Sequence, residues 1–491
     1  MSFISRRSWR TRIAMALLLS MLLTLTLSSF TYAAGVGLTR LSSDPYTNTS
    51  SQHKTEVEPD NLSSGTTIVN AFQVGRFTDG GSSNLGWATS NDKGSTWHQG
   101  FLPGTTVYAT PAGTYARISD PSVAYDAKDN IWMISGLAIL NNPGPVGAAV
   151  LVSRSTDGGL TWNNPVTVTS NGGNGFLDKD WIVCDNTSSS PFYGHCYVEW
   201  DINSQGNLVQ MSTSTNGGLT WAPGKATANS ASGLGGQPLV QPGGTVIVPF
   251  LGNSIEAFTS TNGGTSWTNS VTIGSANSHA EGGSLRSDAL PSAEIDGAGK
   301  VYVAWQNCQF ESGCNANDIV YSTSTNGTTW SATQRIPIAA QNSGADFFIP
   351  GIGIDKSTSG SSAHIGLVYY YYPVSNCNTA TCQLNVGFVS STNGGGTWSS
   401  AAQLAGPMKV TWLANTTGGF MVGDYFSTTI INGKAYPVFV VAKAPKGTKF
   451  NEAAYTATGG LAMPGGRNSS AGDHSYPVSP NPTSRVGQTA Y

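Results

Sequence analysis

The residues of this chain best suited to chemistry are charged side chains that recur at comparable points along it. Seven short segments share a pattern of acidic or polar residues beside Pro or Gly: Glu58-Pro59-Asp60, Ser119-Asp120-Pro121, Asp178-Lys179-Asp180, Gly236-Gln237-Pro238, Asp288-Ala289-Leu290-Pro291, Phe348-Ile349-Pro350 and Gly423-Asp424-Tyr425. In or near them stand Arg117, Asp120, Asp178, Lys179, Asp180, Arg286, Asp288, Asp346, Asp424 and Tyr425, a large share of the ionisable groups in a chain that is only 10% charged. Asp120, Asp180 and Asp424 are candidate proton donors or acceptors, and Arg117, Lys179, Arg286 and Asp288 are candidate binders of a polar or anionic substrate. Taken singly, each Asp has a plainer role, because Asp-Pro and Gly-Asp turns cap strand ends by accepting backbone N–H groups. Their convergence on one concave surface is what argues for a site.

Such convergence needs elements that repeat around a centre. Six segments supply them: 90–97 (SNDKGSTW), 155–162 (STDGGLTW), 214–221 (STNGGLTW), 260–267 (STNGGTSW), 324–330 (STNGTTW) and 391–398 (STNGGGTW). Their first residues are 65, 59, 46, 64 and 67 positions apart, room for one four-stranded unit each time. Within each, an Asp or Asn accepts backbone hydrogen bonds, a Gly takes positive φ, and the Trp buries its ring beside the next strand. Alternating runs such as Val301-Tyr302-Val303-Ala304-Trp305 read as inner strands, while 60 glycines mark many tight turns.

The repeated motif resembles the Asp-box, or bacterial neuraminidase repeat, of sialidase-like β-propellers, across residues 56–458. Four copies carry Asn (Asn216, Asn262, Asn326, Asn393) where that family usually has Asp, and the fifth copy is one residue shorter. Asn keeps the acceptor oxygen, so the turns are expected to survive. The fold class is therefore all-β: a propeller of four-stranded antiparallel blades, seven by the count of blade starts, with six as the alternative because sialidases typically have six. In that family the motif turns lie on the outer rim, away from the substrate face.

The resemblance also implies a chemistry: three arginines around a substrate carboxylate (Arg76, Arg117 and Arg286 here), Asp120 as acid/base, and Tyr425 as nucleophile activated by Glu294 or Asp424. The family's Phe/Tyr-Arg-Ile-Pro signature is missing before Ser90, and Arg335-Ile336-Pro337 carries its letters in the wrong place. Enzyme or binder is thus open. The expected function is that of a secreted sialidase-like propeller acting on or binding extracellular glycans, with a polar site at the channel mouth. The alternatives are a glycoside hydrolase or lyase of the same fold, and a propeller that docks peptides or proteins without catalysis. The run Tyr369 to Tyr372 is either a sugar-stacking surface or a strand end.

Residues 1–34 read as a signal peptide: Arg6, Arg7, Arg10 and Arg12 precede an apolar run over 13–27 and the small residues Ala33 and Ala34. The run is shorter than the roughly 20 residues that a spanning helix needs, so no membrane association is expected after cleavage. Residues 35–55 read as a flexible linker and 459–491 as a Gly/Ser/Pro-rich tail. Six cysteines fall into close pairs, Cys184 with Cys196, Cys308 with Cys314 and Cys377 with Cys382, which in an exported chain favours disulfides between neighbours over metal ligation. A net charge of -3 offers no basic stripe for nucleic acid. A monomer without a cofactor is expected, with calcium as the alternative because carboxylates and carbonyls lie close together.

Overall fold

The computed structural model describes residues 35–466 apart from 142 and 448. The expected signal peptide and all but residues 459–466 of the expected tail lie outside the described residues. The chain is all-β, built from four-stranded antiparallel sheets that follow one another in sequence. The first comprises Gln52–Ser64, Thr67–Arg76, Ser82–Ser90 and His98–Phe101, and the second Arg117–Asp126, Ile131–Asn141, Pro145–Ser155 and Val166–Ser170. Four more have innermost strands Leu177–Cys184, Leu239–Val240, Ser292–Ile295 and Asp346–Ile354. Thr428–Ile431, Lys434–Ala442 and Glu452–Ala457 form three strands of a last group, whose outer partner comes from the other end of the chain: Leu38–Arg40 pairs antiparallel with Tyr455, Thr456 and Ala457.

That pairing corrects the reading of residues 35–55 as a flexible linker. Leu41 is fully buried, its N–H bonds Ala454 O at 2.8 Å, and the Ser42 hydroxyl donates to Glu56 Oε2 at 2.8 Å. The segment's polar composition misleads because its Ser and Asp side chains are consumed locally. Asp44, for instance, accepts from the backbone N–H groups of Tyr46 and Lys54.

Each sheet packs face to face on the next through an apolar layer. Ile131, Met133, Val150 and Val152 of the second sheet meet Ile182, Val198 and Trp200 of the third, and Phe72 and Val74 of the first meet Val438 and Ala454 of the last group. The six motif tryptophans belong to these layers, each lying between its own sheet and the preceding one: Trp97, Trp162, Trp221, Trp267, Trp330 and Trp398. Their turns share one hydrogen-bond scheme. Asp92 Oδ1 accepts from Thr96 N–H at 2.8 Å and its Oδ2 accepts from the Thr96 hydroxyl at 2.6 Å. In the Asn copies the second bond reverses, Asn216 Nδ2 donating to Thr220 Oγ1 at 2.8 Å while Thr220 N–H still donates to Asn216 Oδ1 at 3.0 Å. In the short copy Asn326 Oδ1 takes the N–H groups of Thr328 and Thr329, both at 2.9 Å.

The innermost strands are stitched mostly by side chains. Asp60 Oδ2 accepts from Val123 N–H at 2.7 Å, Ser122 Oγ from Ile182 N–H at 3.3 Å, Gln237 Oε1 from Ala293 N–H at 2.8 Å and Ser292 Oγ from Ile352 N–H at 3.0 Å. A cavity of about 430 Å³ lies between these strands, lined in part by Asp60, Val123, Trp181, Leu239, Glu294 and Ile352. Cys184–Cys196, Cys308–Cys314 and Cys377–Cys382 are disulfide-bonded. No described helix is long and apolar enough to cross a membrane.

Candidate functional site

Four of the seven segments read from sequence as blade starts sit inside the innermost strands, at β-bulges, and the other three lie just before their strands. Register slips between Val57 and Asp60, Ser119 and Ser122, Asp178 and Trp181, and Phe348 and Gly351. At each slip one non-glycine residue is left-handed: Glu58 (φ 51°), Asp120 (φ 50°), Lys179 (φ 43°) and Ile349 (φ 45°). That conformation costs about 1–2 kcal/mol per residue, so the surrounding packing must hold it. A bulge re-aims the side chain out of the strand's alternation. Glu58, Asp120 and Lys179 are thereby brought together from three successive sheets. The last group adds Asp424 after Gly423, where a Cβ would lie 2.9 Å from Glu58 Cα, so only glycine lets the two strands approach.

These groups form one buried ionic cluster. Lys179 Nζ bonds Asp424 Oδ2 and lies 3.7 Å from both Glu58 Oε1 and Asp120 Oδ1. Arg286 grips Asp424 with two donors, Nε at 2.8 Å from Oδ1 and an Nη on Oδ2. Gln73 Nε2 bonds Glu58 Oε2, and Gln73 Oε1 accepts from Arg76 Nη1 at 3.3 Å. Glu58, Asp120 and Asp424 are each no more than 3% exposed, whereas the Arg286 side chain is 27% exposed. Arg286 is thus the cluster's face to solvent. Beside it the hairpin Ala414–Thr416 and Gly419–Met421 spans the mouth, accepting Arg286 N–H at Phe420 O (2.7 Å) and donating Thr417 N–H to Thr78 O (2.9 Å).

Charge balance follows from these contacts. Burial alone would raise the Asp424 carboxyl, but Lys179 and Arg286 hold it well below the usual carboxylate range. Asp424 raises the Arg286 guanidinium in turn, and Lys179 is raised by Asp424, Asp120 and Glu58 against the opposing effect of burial. Burial raises Asp120 and pushes Glu58 up to about 7 although Lys179 pulls it down. On the sheet that carries Lys179, burial lifts Asp180 and Glu199 well above the ordinary range and pushes Asp201 to about 9. Neither carboxyl oxygen of Asp201 has a hydrogen-bond partner among the described residues.

Of the residues singled out from sequence, Asp120, Asp178, Lys179, Arg286 and Asp424 do converge. Others do not serve as expected. Arg117 is committed to Asp79, to Gly80 O at 2.9 Å and to the Phe77 ring, 4.3 Å below its guanidinium carbon. Only Arg76 and Arg286 of the three expected arginines approach Asp424 and Glu58. Tyr425 is buried, donates its hydroxyl to Pro121 O at 3.1 Å and is pushed well above its ordinary pKa by burial, the reverse of an activated nucleophile. Glu294 lines the cavity between the innermost strands with Lys356 Nζ at 3.7 Å, away from the mouth. Asp424 is paired with both Lys179 and Arg286. Asp180 is buried beneath the ring, and Asp288 is exposed beside Glu281. Tyr369, Tyr370, Tyr371 and Tyr372 are all buried at 2% exposure or less and offer no stacking surface. No group of three or more His, Cys, Asp or Glu among the described residues is arranged to hold a metal ion.

Sequence reasoning missed Glu58 as a site residue, although Glu58-Pro59 repeats Asp120-Pro121, and it missed a second polar group built on Glu281. Glu281 Oε1 accepts from Gln306 Nε2 at 2.7 Å and Asn317 Nδ2 at 3.0 Å, and burial pushes the carboxyl to about 8. Nothing in the local sequence flagged this group, because its partners Gln306 and Asn317 lie 25 and 36 residues away.

No protein-family model matches the sequence, and no curated protein matches it. Solved structures are similar in fold at low identity. An ulvan lyase, a polysaccharide lyase bound to -[GlcA(1-4)Rha3S]-, aligns over 87% of this chain and 97% of its own with 11% identity and a TM-score of 0.50. A leech intramolecular trans-sialidase aligns over 67% of each chain with 13% identity and a TM-score of 0.45. A protein of unknown function from Dyadobacter fermentans aligns over 73% of this chain and 100% of its own with 16% identity and a TM-score of 0.44. The chain is an all-β protein of four-stranded antiparallel sheets whose structural neighbours are sialidases and polysaccharide lyases.

Proposed function

We propose that the protein is a secreted, Asp-box β-propeller of seven blades, closed by its N-terminal strand, that binds extracellular glycans at the mouth of its channel. The observation that carries the reading is the ionic ring on successive bulges, with Arg286 as its exposed edge. Fixed charges held in pairs on a rigid scaffold present both donors and acceptors, which suits the alternating hydroxyls of a sugar better than an apolar ligand. The three disulfides and the basic-then-apolar start support export. Exo-sialidase chemistry is disfavoured, because Arg117, Tyr425 and Glu294 are engaged elsewhere. The test is a glycan array run alongside turnover assays on polysaccharides and fluorogenic glycosides, a sialoside included. Binding without turnover supports the reading, sialoside cleavage lost in Tyr425→Phe replaces it with the sialidase reading, and an empty array with peptide ligands captured instead overturns it.

A further inference from the structure

Each motif turn rests on the sheet before its own, and on most sheets one residue position receives it. Thr89, which precedes the first motif, donates its hydroxyl to Gly159 O of the second turn at 2.7 Å. Arg154, which precedes the second, donates Nε to Gly217 O of the third at 2.5 Å. Thr213 and Thr259 hold the same position, and lie so close to Gly264 and Gly327 of the following turns that neither glycine has room for a Cβ. The sixth turn instead meets Tyr321, whose hydroxyl donates to Gly395 O at 3.3 Å. The first turn closes onto the last group, where the Tyr436 hydroxyl donates to Lys93 O at 2.7 Å.

The last group carries no motif, so no turn of the series is left to cover the corresponding position on the sixth sheet. That position, Ser390, is nevertheless filled: its hydroxyl donates to Pro464 O at 3.1 Å, and the nearby Thr397 hydroxyl donates to Gly466 O at 3.3 Å. The segment that arrives there is anchored on the last group. Leu461 and Ala462 pair antiparallel with Ala435 and Lys434, and Lys434 Nζ donates to Gly459 O at 2.9 Å. Its composition suits the task. Proline brings an acceptor without a backbone donor, and Gly466 lies against the Trp398 backbone nitrogen with no room for a Cβ. Leu461 and Met463 are half-buried while Ala462 and Pro464 are exposed, so the segment lays one face down on the sheets. We propose that residues 459–466 are a C-terminal clasp that takes the place of the turn the last group lacks and fastens the sixth sheet to that group. Asp424 lies shortly before Thr428–Ile431, the first strand of the last group, so the clasp also steadies the carboxylate on which Lys179 and Arg286 meet.

The experiment is amide hydrogen exchange, read by mass spectrometry, on the full folded chain and two point variants of it. Gly466→Val puts a side chain where the Trp398 backbone leaves no space and forces the segment off the sixth sheet. Ser390→Ala removes only the hydroxyl that holds Pro464 O. The expected result for Gly466→Val is exchange about tenfold or more faster over both 428–435 and 391–398, with the distant turn 260–267 unchanged. Ser390→Ala gives the same pattern at a smaller amplitude, about twofold or more. It decides the matter alone if Gly466→Val does not fold. Unchanged exchange over 428–435 and 391–398, or acceleration that spreads equally to 260–267, overturns the clasp. Acceleration confined to one of the two segments overturns it as well, because the segment would then pack on one sheet without fastening it to the other.

Discussion

The outer turns repeat six times and the inner bulges four times, yet they repeat different things. In the turns the side chains recur and the task is the same each time: Asp or Asn closes the loop and Trp fills the layer behind it. In the bulges the backbone recurs while the side chain changes, from Glu58 to Asp120 to Lys179 to Ile349. A local hydrogen-bond scheme satisfied by few residue types preserves its sequence within the chain. A backbone device held by tertiary packing leaves its side chain free, and chemistry collects there. The difference separates the turns, whose side chains recur, from the bulges, on which the charged groups gather.

The sharpest way to break the comparison is at Asp424, which neutralises two cations inside the ring. Asp424→Ala leaves Lys179 and Arg286 without their main partner and is expected to cost about 3–5 kcal/mol in chemical denaturation. Trp267, 4% exposed in the layer between the third and fourth sheets, marks what the rim contributes: Trp267→Ala should cost about 3–5 kcal/mol as well, by cavity formation and without altering any ligand binding.

A smaller effect distinguishes the centre by its pH dependence. Burial holds the folded Asp201 carboxyl near 9, against about 4 in the unfolded chain. The folded state binds this proton more tightly, so the stability it contributes is complete below about pH 4 and is lost as pH rises through about 9. Urea midpoints measured at pH 6 and pH 9 should therefore fall, and Asp201→Asn should flatten that fall. The smallest change expected is at the rim, where Asn393→Asp only reverses the bond to Thr397 Oγ1 and should shift stability by no more than about 0.5 kcal/mol.

Much of the rim was legible in the sequence, because each turn is written in seven or eight adjacent residues and its hydrogen bonds span four positions or fewer. The neighbouring cysteine pairs were legible for the same reason. At the centre the sequence marked Asp120, Lys179 and Asp424 but not who meets whom, since Lys179 and Asp424 are 245 residues apart and Arg286 and Asp424 are 138 apart. Arg117 looked available because nothing local signals that Asp79, 38 residues earlier, takes it. The strand Leu38–Arg40 was hidden in a polar stretch whose partner lies at the far end of the chain.

Arg286 offers the most direct measurement, since it is the partly exposed member of the ring and Asp424 keeps Lys179 when it is removed. Binding of the native chain and of Arg286→Ala to the same glycan array, with both proteins shown to be folded, tests the central claim. The account predicts glycan ligands for the native chain and at least a tenfold loss of affinity for them in the variant. Unchanged binding by Arg286→Ala, or no glycan bound by the native chain, would contradict it.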